Sequence, residues 1–205
     1  MKKALIMLLA VMMAVPALAA SKPYKKKIKE FKRAGWEIYA SSRTLEDAVR
    51  LHCEALEKGG VYELAGTAVG IKSPGVGRQI AMNNACVDYV QQAGRFLRGR
   101  IASDAYADEC PEEEFSHFYS AYENLLQKEI DGEIRPSFTL LRTVGDGTCQ
   151  MISFFIVDEE AASRARIKAM EAAARKSEVA QEIARRIREY VDEGFVPVAI
   201  TAEEK

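Results

Sequence analysis

The chain has 205 residues, with 29 basic against 30 acidic side chains and a formal net charge of -1. That balance excludes the strongly basic composition expected of a nucleic-acid-binding domain. A hydrophobic content of 48% supplies enough apolar side chain for one sizeable core.

Lys2 and Lys3 precede an uncharged apolar run from Ala4 to Pro16, and Ala17-Leu18-Ala19-Ala20 offers small residues after it. This is the pattern of a secretory signal peptide, cleaved after Ala19 or Ala20, and the run falls short of the roughly 20 residues a membrane span needs. A lipid-anchored bacterial protein carries cysteine directly after the cut, but Ser21 stands there and the first cysteine is Cys53. The expectation is a mature chain of about 185 residues, periplasmic or extracellular and not lipid-anchored. No second apolar segment is long enough to cross a membrane.

Residues 22–33 carry seven basic side chains and one acid, with Ile28 and Phe31 as a thin apolar edge. The stretch reads as a solvated lead-in over 21–34, and Lys25, Lys26 and Lys27 offer peripheral contact with anionic surfaces. Trp36 to Tyr39 predicts a short strand. Thr44 fits a helix N-cap, with Asp47 three residues on. Leu45, Val49, His52 and Leu56 recur at helical spacing until Gly59-Gly60 ends the run. Val61 to Ile71 predicts a strand whose small residues admit a close helix.

After Ser73-Pro74-Gly75 a long helix is expected, with Ile80, Val87, Val90, Gly94, Leu97 and Ile101 on one face. Residues 102–114 form an acidic connector. Glu112-Glu113-Glu114 lack the alternating ligands and glycine of a calcium loop, and fit the first turn of a helix instead. Phe115, Phe118, Tyr119, Tyr122, Leu125, Leu126 and Ile130 then make a broad apolar stripe. Ile134 to Val144 and Thr148 to Val157 predict a hairpin across Gly145-Asp146-Gly147. Its second strand is apolar on both faces, which places it centrally in a sheet. From Asp158 to about Glu193 a charged, alanine-rich helix is expected. Unbroken, it would extend roughly 54 Å and project beyond the domain; the alternative is a helix that breaks, or lies along the sheet with its charged side exposed. Residues 195–205 read as a loose tail, leaving 35–194 as a single domain.

The chemistry-bearing residues are sparse. His52 falls on the apolar face of its helix and His117 among acids and aromatics, neither beside a nucleophile motif. Gly70 to Gly77 (GIKSPGVG) lacks the Walker lysine and the dinucleotide fingerprint. Cys53, Cys86, Cys110 and Cys149 are spaced too irregularly for a zinc site, and suit either disulfides or buried thiols. No catalytic residue, cofactor or metal is expected.

Gly66-Thr67-Ala68, followed by Gly77 to Ile101 (GRQIAMNNACVDYVQQAGRFLRGRI), resembles the bacterial lipoprotein-twenty group of exported envelope proteins. The resemblance covers Val61 to Val157 and implies an envelope compartment and a strand-helix-hairpin order, without catalytic residues. The missing lipid-attachment cysteine departs from the group's pattern.

The element order predicts an α+β domain: a mostly antiparallel sheet of about four strands, helices on one face, and a long C-terminal helix. The expected function is a non-catalytic envelope protein that binds a partner or supports assembly of a surface structure. Trp36, Phe118, Tyr119, Tyr122, Ile183, Ile187 and Tyr190 are its candidate contacts. The alternative is a small-ligand or glycan site in a cleft lined by Trp36, Phe118 and Tyr122.

Overall fold

The computed structural model describes residues 23–103, 112–145 and 147–199. It is an α+β fold with helices α1 (Pro23–Arg33), α2 (Leu45–Glu57), α3 (Pro74–Ser103), α4 (Glu112–Asp131), α5 (Glu159–Ala174) and α6 (Glu178–Ile187). Its strands are β1 (Glu37–Ile38), β2 (Val61–Ile71), β3 (Arg135–Thr143) and β4 (Cys149–Asp158). They form one antiparallel sheet in the order β1-β3-β4-β2.

β4 occupies the interior expected of a strand apolar on both sides. Ile152 and Phe154 join a core with Ile28, Trp36, Val49 and Leu140. Phe155 and Val157 join the larger core with Tyr89, Leu97, Leu126 and Met170. Both faces therefore need cover. α1 and α2 supply it on one side and α3 to α6 on the other, which corrects the expectation of helices on a single face.

α3 approaches β2 through small residues. Gly66 sits where an added Cβ would lie 1.8 Å from the Ala81 carbonyl oxygen. Ala81, Ala85, Tyr89, Ala93 and Leu97 form the buried face of α3. Ile80 is 41% exposed, because contact with the sheet follows the alanines and turns Ile80 outward.

Of the two expectations for the C-terminal segment the broken helix is the one found, as α5 and α6. Ser177 adopts an extended backbone (φ -140, ψ 126) and its hydroxyl accepts from the Ala180 N–H at 3.1 Å, starting α6 afresh. α6 and the turns after it then run back along α5, since Arg188 meets Glu171 and Asp192 meets Arg166, each at 2.8 Å. A continuous helix would leave Ile183 and Ile187 in solvent, whereas the reversal buries both.

Two boundaries also move. The lead-in is a packed helix, because Ile28 is buried in the α1/α2-side core and Phe31 packs against it. The tail is fastened as far as 199. Phe195 is buried, and the Gln92 amide brackets Val198, donating to its carbonyl at 2.8 Å and accepting from its N–H at 2.7 Å. Tyr62 on β2 donates to the Phe195 carbonyl at 3.2 Å, and Ala199 packs on the α1/α2-side core. The tail thus passes the outer edge of β2 and shields a strand that would otherwise be an open pairing edge.

Cys53, Cys86 and Cys149 are free thiols. Cys53 and Cys86 belong to the cores on opposite faces of the sheet, so no disulfide joins them. Cys110, Asp146, the signal-like segment, the acidic connector over 104–111 and residues 200–205 lie outside the described residues.

Candidate functional site

The Thr44 cap sets the start of α2. Its hydroxyl accepts from the Asp47 N–H at 3.1 Å, and the helical period then turns Leu45, Ala48, Val49, His52 and Cys53 inward. β2 alternation brings Glu63 to the same side of the sheet as Ala65. On β3 the register with β4 shifts between Pro136 and Phe138. A bulge of this kind re-aims a side chain, and here Ser137 faces the same layer as its neighbour Phe138.

The three elements bring together a chain of polar groups. His52 Nε2 lies 2.5 Å from Glu63 Oε2, and His52 Nδ1 lies 2.9 Å from Ser137 Oγ. Lys27 of α1 stands 3.6 Å from the same Glu63 oxygen. With Glu63 ionised, Nε2–H donates to the carboxylate and Nδ1 accepts the Ser137 hydroxyl. Burial pushes the Glu63 carboxyl up, but the His52 hydrogen bond and the Lys27 charge outweigh it and hold its pKa below the ordinary value. Serine, histidine and carboxylate stand in the order of a nucleophilic relay. Yet the His52 side chain is only 2% exposed, both of its nitrogens are engaged, and the rings of Phe138 and Phe154 pack edge-on at 5.3 and 5.9 Å. A general base in that setting has no line to a substrate's leaving group. The arrangement joins α1, α2, β2 and β3 through the buried His52 and a half-buried carboxylate.

Outside this junction α1 presents charge. Lys25, Lys29 and Arg33 recur every fourth residue along one exposed face. None of the three has an ion pair among the described residues. Lys26 is tied to Glu30 at 3.8 Å and Lys32 to Glu46. Of the lysines singled out in the sequence, Lys25 and Lys26 point outward, whereas Lys27 turns toward Glu63. Lys29 and Arg33 were missed, although the spacing of 25, 29 and 33 is legible as one helical face.

The aromatic contacts are not a surface. Trp36, Phe118, Tyr122, Ile183 and Ile187 are buried, and Tyr119 and Tyr190 are partly covered against the larger core. Trp36 belongs to the core on the α1/α2 side, whereas Phe118 and Tyr122 belong to the core on the other. The sheet lies between them, so they line no common cleft. His117 is exposed on α4. Glu63 and Ser137 were also missed, since their meeting with His52 depends on packing between elements up to 85 residues apart.

A second buried polar chain fastens the C-terminal turns. Arg166 bonds Asp192 Oδ1 at 2.8 Å and the Tyr89 hydroxyl, and its guanidinium stacks 4.4 Å from the Phe195 ring centroid. Ser163 donates to Asp192 Oδ2 at 2.5 Å. Burial pushes the Tyr89 hydroxyl up to about 12, so it stays neutral beside the cation.

Among the described residues no group of three or more His, Cys, Asp or Glu is placed to hold a metal ion, and no helix is long and apolar enough to cross a membrane. Comparison with protein-family models, with curated proteins and with solved structures finds no match.

Proposed function

We propose that this chain is an exported, non-catalytic envelope protein that attaches peripherally to an acidic surface through α1. The observation that carries the reading is the unpaired row Lys25, Lys29 and Arg33 on a helix whose opposite edge is anchored by Ile28. A basic segment in a flexible arm loses conformational freedom when it binds, but a docked helix has already lost it. Each basic side chain near an anionic leaflet contributes about 1 kcal/mol, so three give weak, reversible attachment. Because Ile28 and Phe31 face inward, attachment relies on charge rather than on insertion of an apolar face. The resemblance to the lipoprotein-twenty group and the signal-like N-terminus agree with this role, and the sealed His52 supports a non-catalytic one.

Co-sedimentation with phosphatidylglycerol–phosphatidylcholine vesicles tests it. Binding should fall steeply with added salt and with the combined change Lys25→Glu, Lys29→Glu and Arg33→Glu, while pure phosphatidylcholine vesicles stay bare. Equal binding by the charge-reversed protein would overturn the reading.

A further inference from the structure

The Lys27–Glu63–His52 junction ends in a hydroxyl that its structural role does not require. His52 and Glu63 satisfy one another, and Lys27 balances the carboxylate. The remaining ring nitrogen, Nδ1, needs only a donor, which water would supply at a half-open end. Ser137 stands there instead, partly exposed, with Oγ 2.9 Å from Nδ1. The outer edge of β3 is open beside it, because β1 pairs only with Leu140 and Leu141, and Arg135 and Pro136 are exposed. Other hydroxyls are spent differently: Ser153 is buried against Thr139, and Ser163 donates to Asp192.

Two features suit the Ser137 oxygen to attack on an electrophile. Nδ1 accepts its proton, while the carboxylate on Nε2 fixes the tautomer and steadies the imidazolium that forms. Ser137 is also the residue that the β3–β4 register passes over, and the extra residue of a bulge is left out of the ladder. Its own amide is thereby spared to donate to the oxygen that becomes negative. A further feature limits the chemistry. His52 is 2% exposed between the Phe138 and Phe154 ring edges, and its one free nitrogen is covered by Oγ itself. It takes the serine proton but reaches no leaving group and no hydrolytic water. The leaving group must therefore depart as an anion, and the adduct, once formed, persists.

We infer that Ser137 is a covalent acylation site, which accepts one acyl group from an activated ester and holds it. Oγ bonds to the carbonyl carbon as its proton passes to Nδ1. The bond from that carbon to the leaving oxygen then breaks, and the electron pair leaves with the oxygen. His52 returns to neutrality by releasing a proton through the half-buried Glu63 carboxylate. The exposed row of α1 takes no part, so this inference stands apart from the attachment proposed above.

The test adds p-nitrophenyl acetate to the full chain, follows nitrophenolate by absorbance, and maps acetylated residues by peptide mass spectrometry. Hydroxylamine removes serine esters and spares lysine amides, which separates the two. The expected result is one hydroxylamine-labile acetyl group, at Ser137, formed about 10²-fold faster than at exposed Ser73 and Ser116. Glu63→Gln, under conditions where it keeps a cooperative thermal transition, should slow Ser137 about tenfold or more and leave Ser73 and Ser116 unchanged. Acetylation of Ser137 no faster than of Ser73 and Ser116 in the parent chain would overturn the inference, whether or not the variant folds. So would an unchanged rate at Ser137 in folded Glu63→Gln. Continued release beyond one equivalent that Ser137→Ala abolishes would overturn both the acceptor role and the non-catalytic reading, leaving attachment through α1 to its own vesicle test.

Discussion

Gly66 and Glu63 lie three residues apart on β2 and show what single positions on opposite faces of the sheet decide. Gly66→Ala forces a methyl into the backbone of α3, so a loss of about 1–3 kcal/mol or more is expected in urea unfolding. Gly99→Ala is the matched control. It lies in α3 with nothing within 4 Å of the added carbon, and should stabilise by about 0.5–1 kcal/mol. Equal effects at the two sites would refute close α3–β2 contact. Glu63 makes a pH-dependent contribution whose sign is fixed by its lowered pKa. A carboxyl depressed in the folded state stabilises fully above its unfolded value, near 4.5, and that stability is lost as pH falls through the depressed folded value. Glu63→Gln should therefore be less stable than the parent at pH 7, and the two curves should converge well below pH 4.5. Parallel curves would show that Glu63 gains nothing from His52 and Lys27.

Among the elements, α6 decides between a projecting helix and a broken one. A projecting helix would be dispensable to the fold, so a chain ending at Lys176 would keep its structure. In the folded chain that cut removes Ile183, Ile187, Val191 and Phe195, all buried. At about 1.5–3 kcal/mol each, their loss is comparable to the whole net stability of a domain. The chain truncated after Lys176 should lose its cooperative thermal transition, and a retained sharp transition would contradict the packing of α6. Sequence pattern found α2, β2, α4, the hairpin and the central place of β4, because each has its own period and its own cap or turn. It left a break in the C-terminal helix open but did not place it at Ser177, because alanine, arginine and glutamate favour helix on both sides and the capping serine carries little weight against that composition. It misjudged α1 for the opposite reason, since Ile28 and Phe31 suffice as an anchor only once a sheet face stands ready to receive them. The buried aromatics read as contacts in sequence because an apolar stripe looks alike whether its partner is another protein or the same chain.

For the whole molecule, the sheet divides two layers of unequal strength. On one side α3, α4, α5 and α6 enclose the larger core, and the Tyr89–Arg166–Asp192 chain fastens the C-terminal turns to it. On the other, α1 and α2 hold to the sheet through a smaller apolar cluster, the junction of Lys27, Glu63, His52 and Ser137, and the long Arg142 hydrogen bond to the Ala34 carbonyl. The order of opening follows from that difference, since local stability tracks buried apolar contact and the number of independent ties. Native-state hydrogen exchange at low urea should show α1 and the outer face of α2 opening below the global free energy, while the α3, β4 and α5 amides exchange only with full unfolding. Acidic vesicles should then raise protection in α1 selectively, because a ligand that binds only the docked helix stabilises that state by mass action. Uniform protection before and after vesicle addition would refute both the two-layer hierarchy and attachment through α1. Selective protection of α5 and α6 by vesicles would instead move the attachment off α1. The pattern of protected amides, read along the chain, thus tests attachment through α1 without any substitution.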